Sequence, residues 1–187
     1  MMNRVFRFDD VCVNADMQLI NDMTDFLLDN FSGCRIIWGV SPLVHDMSQE
    51  KCEITKQRIF PKIFNAHSDH RIFYTPTKVG VPELRPDVDT AGHGLIHVDH
   101  RLLTKEAQEM SIITSCSLAQ GKTFIPPFNK WDKNTESICE EFGIELIKFE
   151  DGWLCMEYND FDPEQELWYL HSREFTLEDF KQWLKTG

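Results

Sequence analysis

Positive charge is scarce in this sequence. Nineteen lysines and arginines stand against thirty-one aspartates and glutamates, a formal balance of -12 at pH 7. A surface of that sign repels phosphate backbones and anionic headgroups, so nucleic acid is not the expected partner. Long apolar runs are missing as well. No window approaches the ~20 apolar residues of a membrane-spanning helix, and no basic stretch followed by an apolar segment opens the chain. A soluble, cytoplasmic protein without membrane insertion is expected. The six cysteines (Cys12, Cys34, Cys52, Cys116, Cys139, Cys155) include no close pair. That excludes a zinc ribbon or a thioredoxin-like redox motif and predicts reduced structural thiols. Internal repeats and low-complexity segments are absent too.

What is present is the composition of a folded globular chain: 42% hydrophobic, 12% aromatic and 27% charged residues among 187. A chain of this length buries one substantial core but seldom two, so residues 1–187 are read as a single domain. Arg4 to Phe8 reads as a strand that stops at Asp9-Asp10. From Asp16 to Asn30, Leu19, Ile20, Met23, Phe26 and Leu27 recur at helical spacing. Cys34 to Val44 is apolar and rich in branched residues, the signature of a strand buried on both faces of a parallel sheet. Residues from about 46 to 89 mix charge, proline and isolated aromatics without a period, and predict an irregular excursion.

Beyond it, Thr104 is placed to cap a helix running towards Leu118. Lys122 to Ile125 is a brief strand halted by Pro126-Pro127. Thr135 to Phe142 reads as a helix stopped by Gly143, and Ile144 to Phe149, Trp153 to Tyr158 and Leu167 to Leu170 as strands. Thr176 begins a terminal amphipathic helix. The alternation predicts an α/β fold with a mainly parallel sheet, open or closed into a distorted or incomplete (β/α) barrel.

In such folds the residues that follow a strand's C-terminal end converge on one crevice. Asp9-Asp10, His93 to His97, Pro126-Pro127-Phe128 and His171 all occupy such places. A divalent transition ion needs about three protein ligands and an open position, which two imidazoles and a carboxylate supply. His93 and His97 are four apart, so one helical turn would put both rings on the same side. Each feature alone has an ordinary reading: histidines are commonly surface or hydrogen-bonded residues, and paired aspartates commonly serve turns. His100, and the pair His67 and His70, are expected to be surface features. Trp131, Trp153, Trp168 and Phe128 are candidates to stack on sugar rings, with Phe128 and Trp131 the best placed.

The motifs in their order resemble those of the polysaccharide deacetylase family (NodB-like, carbohydrate esterase family 4-like). FRFDD at Phe6 to Asp10 is similar to the first motif, which makes Asp9 the general base and Asp10 a metal ligand. AGHGLIHVDHRLL at Ala91 to Leu103 resembles the second, which makes His93 and His97 the remaining ligands. FIPPFN at Phe124 to Asn129 resembles the third, whose proline and aromatic shape the acetyl pocket, here Pro127 and Phe128, with a backbone N–H near the developing oxyanion. LWYLHSREFT resembles the last, which makes His171 the acid that protonates the leaving amine. The resemblance implies a metal-dependent hydrolase removing acetyl from an N-acetylated sugar of a surface polysaccharide or its precursor, and the donor set makes zinc the expected ion among divalent transition metals.

Two positions depart from the pattern. Val11 stands where glycine is frequent, and Ile125 where an arginine normally pairs with the catalytic aspartate. Arg7, Arg101, Lys130 and Arg173 are the candidate replacements. The fourth motif, acidic with a tryptophan, has no clean counterpart around Asp151-Gly152-Trp153 or Asp160 to Trp168. A deacetylase-like domain that binds carbohydrate without turnover, and a metal-dependent amidase or esterase acting on a non-sugar substrate, are the alternatives.

Overall fold

The computed structural model describes residues 4–12, 15–46, 75–79, 81–95, 97–171 and 175–185, the stretches 43–46 and 75–79 by backbone alone. In chain order the strands are β1 (Val5–Val11), β2 (Arg35–Val40), β3 (Leu43–Asp46), β4 (Thr75–Val79), β5 (Asp89–Gly92), β6 (Thr123–Phe124), β7 (Glu145–Leu146), β8 (Leu154–Cys155) and β9 (Leu167–His171). The helices are α1 (Met17–Asn30), α2 (Lys105–Leu118), α3 (Lys133–Glu141) and α4 (Leu177–Trp183). Seven strands form one sheet in the order β7-β6-β5-β2-β1-β9-β8, every pairing parallel. This sheet curls into a half-barrel, the incomplete (β/α) barrel that the alternation predicted. No helix among the described residues is long and apolar enough to cross a membrane.

Strand alternation divides the core into two layers. Phe6 and Phe8 of β1 pack with Trp38, Trp168 and Leu170, and with Ile20, Met23 and Leu27 of α1 and Phe180 and Trp183 of α4. On the opposite face, Ile37, Ala91, Ile125, Ile147, Trp153, Cys155 and Tyr169 fill the inside of the curl. Arg7 and Asp9, odd-numbered like Val5, belong to that inner face. Trp153 and Trp168 are therefore core residues, buried almost completely.

Helix starts follow capping chemistry. Asp16, Thr104 and Thr176 accept from Leu19, Ala107 and Asp179 N–H respectively. The third helix begins two residues before Thr135, because Asp132 accepts from both Asn134 and Thr135 N–H and captures the cap. The apolar stretch from Cys34 to Val44 is not one strand: β2 ends at Val40, and Leu43–Asp46 leaves the sheet to pair antiparallel with β4. His67, His70 and Cys52 lie outside the described residues.

Close approach of α2 to β5 fixes the floor beneath the strand ends. A methyl group built on Gly92 would lie 2.6 Å from the Cys116 backbone nitrogen and 2.6 Å from Ser115 Oγ. Backbone cannot step aside as a side-chain tip can, so Gly92→Ala is expected to destabilise by about 1–3 kcal/mol or more, the usual scale of overpacking. Chemical denaturation measures it, and an unchanged midpoint would mean that α2 is free to move.

Candidate active site

The first strand does not stop before its two aspartates, because β9 pairs alongside it as far as Asp9 opposite His171. On the other edge the register slips: Phe8 faces Trp38 and Val11 faces Val40, three steps of β1 against two of β2. The extra residue is a bulge, and Asp10 sits in it with φ 61°, a left-handed conformation uncommon outside glycine. The bulge breaks the alternation between neighbours and aims consecutive carboxylates into different surroundings. Backbone held in such a sparse region is commonly found at functional sites.

Asp9 is buried with Arg7, whose Nη2 donates to Asp9 Oδ2 at 2.8 Å and to Asn129 Oδ1 at 2.8 Å. The Arg7 guanidinium lies between the Trp153 and Tyr169 rings, 4.8 and 4.7 Å from their centroids. Those ring faces favour a cation that burial has stripped of water. Among the four candidate partners for Asp9, then, the structure selects Arg7. Arg101 pairs with Asp99, Lys130 is exposed, and Arg173 lies outside the described residues. The second oxygen, Asp9 Oδ1, is buried without a hydrogen-bond partner.

His93 follows β5 directly, its N–H bonded to Val40 O at 2.9 Å. Its ring is 2% exposed; Nδ1 donates to Ile125 O at 3.0 Å, while Nε2 is buried without a hydrogen-bond partner. The carbonyl thus fixes the tautomer and leaves the Nε2 lone pair available. His97 is not on the helical turn that a spacing of four suggests. Gly94 takes φ 78°, neither Leu95 nor His97 is helical, and the two rings lie 4.9 Å apart between centroids.

That loop is held from behind. Ser111 Oγ on α2 accepts from Leu95 N–H at 2.9 Å and donates to His100 Nε2 at 3.0 Å, while His100 Nδ1 donates to Val98 O at 3.1 Å. His100 is therefore not the expected surface residue but fully buried, and burial pushes its pKa down to about 4, keeping it neutral. Ser111, bonded to Leu95 N–H and to His100, and His100, bonded to Val98 O, thus hold the chain on either side of His97.

The three side chains meet. Asp10 Oδ1 lies 3.6 Å from His93 Nε2 and 3.2 Å from His97 Nε2, and one donor atom from each residue falls within 4.8 Å of the others. Burial pushes the Asp10 carboxyl up, but the imidazoles of His93, His97 and His171 outweigh it and hold it well below the usual carboxylate range. The donor set and the orphaned His93 Nε2 fit a divalent transition ion.

His171 stands beside Asp9 at the end of β9. Its Nδ1 donates to Glu157 Oε1 at 2.8 Å, and the same oxygen accepts the His171 backbone N–H at 2.8 Å. The Glu157 bond raises the pKa of His171 against the opposing effect of burial, with Asp9 and Asp10 adding to the rise. Glu157, two residues past β8, is the functional candidate that sequence reading did not single out.

Pro127 is buried, and after it Phe128 (φ 58°) and Asn129 (φ 53°) both turn left-handed. This tight turn leaves Phe128 52% exposed, its ring 4.4 Å from that of His97 between centroids. Trp131 is half-buried, just ahead of the Asp132 cap of α3.

No family model and no curated protein matches the sequence. Solved structures do match. A peptidoglycan deacetylase from Bacillus subtilis is 10% identical, with a TM-score of 0.56 over 98% of this chain and 82% of that one. A family 4 acetyl xylan esterase from Clostridium thermocellum, in complex with a cobalt ion, is 14% identical, with a TM-score of 0.51 over 98% and 84%. A pseudoenzyme of the same esterase family from Bacillus anthracis is 9% identical, with a TM-score of 0.59; the match covers 98% of this chain and 59% of that one. The fold is that of the polysaccharide deacetylases.

Proposed function

We propose that this chain is a metal-dependent hydrolase that removes acetyl groups from N-acetylated sugars, within a single domain. The observation that carries the reading is the meeting of Asp10, His93 and His97 at one point, next to the register pair Asp9 and His171. The likeness to a peptidoglycan deacetylase supports the substrate class.

Asp10 Oδ1, His93 Nε2 and His97 Nε2 would hold the ion, and two imidazoles with a carboxylate suit zinc. Once bound, such an ion supplies Lewis-acid activation of water and of an acyl carbonyl. Asp9 Oδ1, the buried oxygen that Arg7 leaves unengaged, takes the proton of the attacking water. Arg7 holds the other oxygen and fixes the carboxylate's orientation. The left-handed turn at Phe128 offers its backbone N–H to the developing oxyanion, a preorganised dipole of the kind that stabilises acyl-transfer transition states. His171 donates from Nε2 to the departing amine while Glu157 holds Nδ1. Pro127 shapes the acetyl pocket and the exposed Phe128 ring stacks on the sugar.

The test is acetate release from N-acetylglucosamine oligomers, from acetylated xylan and from a simple aryl acetate. The reading expects the N-acetylated oligomers to be preferred. Release from the esters alone would move the assignment to an esterase. Metal-retaining protein that binds the oligomers without turning them over would make it a carbohydrate-binding relative of the pseudoenzyme kind.

A pH profile tests the acid. His171 must be protonated to donate, so activity falls as pH rises through its pKa, which the Glu157 bond holds above the ordinary value. Glu157→Gln removes that bond's charge, and the alkaline limb of kcat is expected to move to lower pH. A limb that stays in place would assign it to another group.

A further inference from the structure

A second group of donors converges among the described residues. Cys155 Sγ, a Glu157 carboxylate oxygen and a His171 ring nitrogen all lie within 4.8 Å of one another. The backbone fixes them. Cys155 ends β8 opposite Tyr169 of β9, Met156 N–H bonds Tyr169 O at 2.9 Å, and Glu157 Oε1 receives both the His171 N–H and Nδ1. Cys155 is buried and the Glu157 side chain is 11% exposed, while the His171 side chain at 31% leaves the group open to solvent on one side.

Orienting a histidine needs only the carboxylate. The thiol adds a soft donor beside two harder ones, and a thiol with an imidazole and a carboxylate is a set that selects thiophilic divalent ions. Tetrahedral ligands at ~2.0–2.3 Å from zinc stand roughly 3.3–3.8 Å apart. The donors, all within 4.8 Å of one another, would need to shift by only about an ångström to reach that spacing.

We propose that Cys155, Glu157 and His171 form a second metal site, binding zinc or cadmium through Sγ, a carboxylate oxygen and Nδ1, and that its occupancy switches off His171 as a proton donor. The exchange balances. The thiol proton and the Nδ1 proton leave to solvent, and coordinate bonds from Sγ, Nδ1 and the carboxylate form in their place. Thiolate and carboxylate together offset the charge of the ion, so the half-buried group ends neutral. With Nδ1 coordinated, the ring no longer exists as the imidazolium that gives up a proton near neutral pH. The inhibitory half of this proposal rests on the acid role assigned to His171 above; the binding half does not.

Titrating metal-free protein with cadmium separates the two halves. Wild type is expected to bind two equivalents, one of them bringing an ultraviolet thiolate-to-metal charge-transfer band. Cys155→Ser and Cys155→Ala, the second keeping the apolar packing, are expected to lose that band and that equivalent and to retain the other. Equal stoichiometry and equal spectra in all three proteins would overturn the site. Excess zinc is expected to lower acetate release by wild type ~10²-fold or more, the scale of a positioned general acid, and to spare the Cys155 variants. Equal zinc response in wild type and variants, with the cysteine-dependent band present, would overturn the switch. Should no protein release acetate at all, the functional reading fails and the cadmium titration still decides the site.

Discussion

Asp9→Asn is expected to lower acetate release by ~10²–10⁴-fold, the range a positioned general base contributes, and to leave bound metal in place. The buried pair with Arg7 is what makes the substitution informative. One oxygen of Asp9 is engaged by Arg7 Nη2 at 2.8 Å and the other is buried without a partner. An asparagine keeps an acceptor for the guanidinium and puts an amide NH2 where the proton should go. Arg7 keeps its bond to Asn129 and its two aromatic faces. Breaking a buried ion pair outright costs about 3–5 kcal/mol, so the retained acceptor holds the stability loss below that range. Parallel measurement of turnover, bound metal and unfolding separates the two effects. Turnover within tenfold of wild type would remove Asp9 from the base role.

The second large effect belongs to Asp10→Ala, which is expected to weaken the ion's binding by more than the ~10–100-fold that loss of an outer partner costs, and to abolish turnover with it. Three features leave little room for compensation. Asp10 supplies the anionic donor of the three, it lies 3.2 Å from His97 Nε2, and a bulge with φ 61° aims it there. His93 and His97 remain in place through bonds that do not involve Asp10: His93 to Ile125 O, and the chain around His97 to Ser111 and His100. Fold and loop should therefore survive the substitution while affinity does not. Competition with a fluorescent chelator gives the affinity, and an unchanged Kd would place the ion elsewhere.

Much of this architecture is legible in the sequence because local rules and global fold agree. The helical spacing of Ile20, Met23 and Leu27 and the caps at Thr104 and Thr176 recur in the structure. So do the strands that carry Asp9, Asp10 and His171 or lead into His93 and Pro127, although β6, β7 and β8 are each only two residues long. What was not legible depended on pairing between distant segments. Nothing local to Cys34–Val44 shows that the strand breaks at Ser41, because the break is set by a partner at residues 75–79. Nothing near Asp9 chooses among four cations. The choice falls to Arg7 because strand alternation puts it on the same inner face, between Trp153 and Tyr169, rings that arrive from far down the chain. Glu157 was missed because β8 ends in an irregular turn that gives it no periodicity, and its role comes from β9 lying alongside. His100 looked like one more polar residue in a loop, and only the Ser111 hydroxyl on α2 explains its burial.

Crystals of metal-free protein given one equivalent of cobalt, with diffraction recorded at the cobalt edge, locate the ion outright. One anomalous peak is expected, about 2.0–2.2 Å from Asp10 Oδ1, His93 Nε2 and His97 Nε2. Active protein with that point empty and the cobalt bound elsewhere would contradict it.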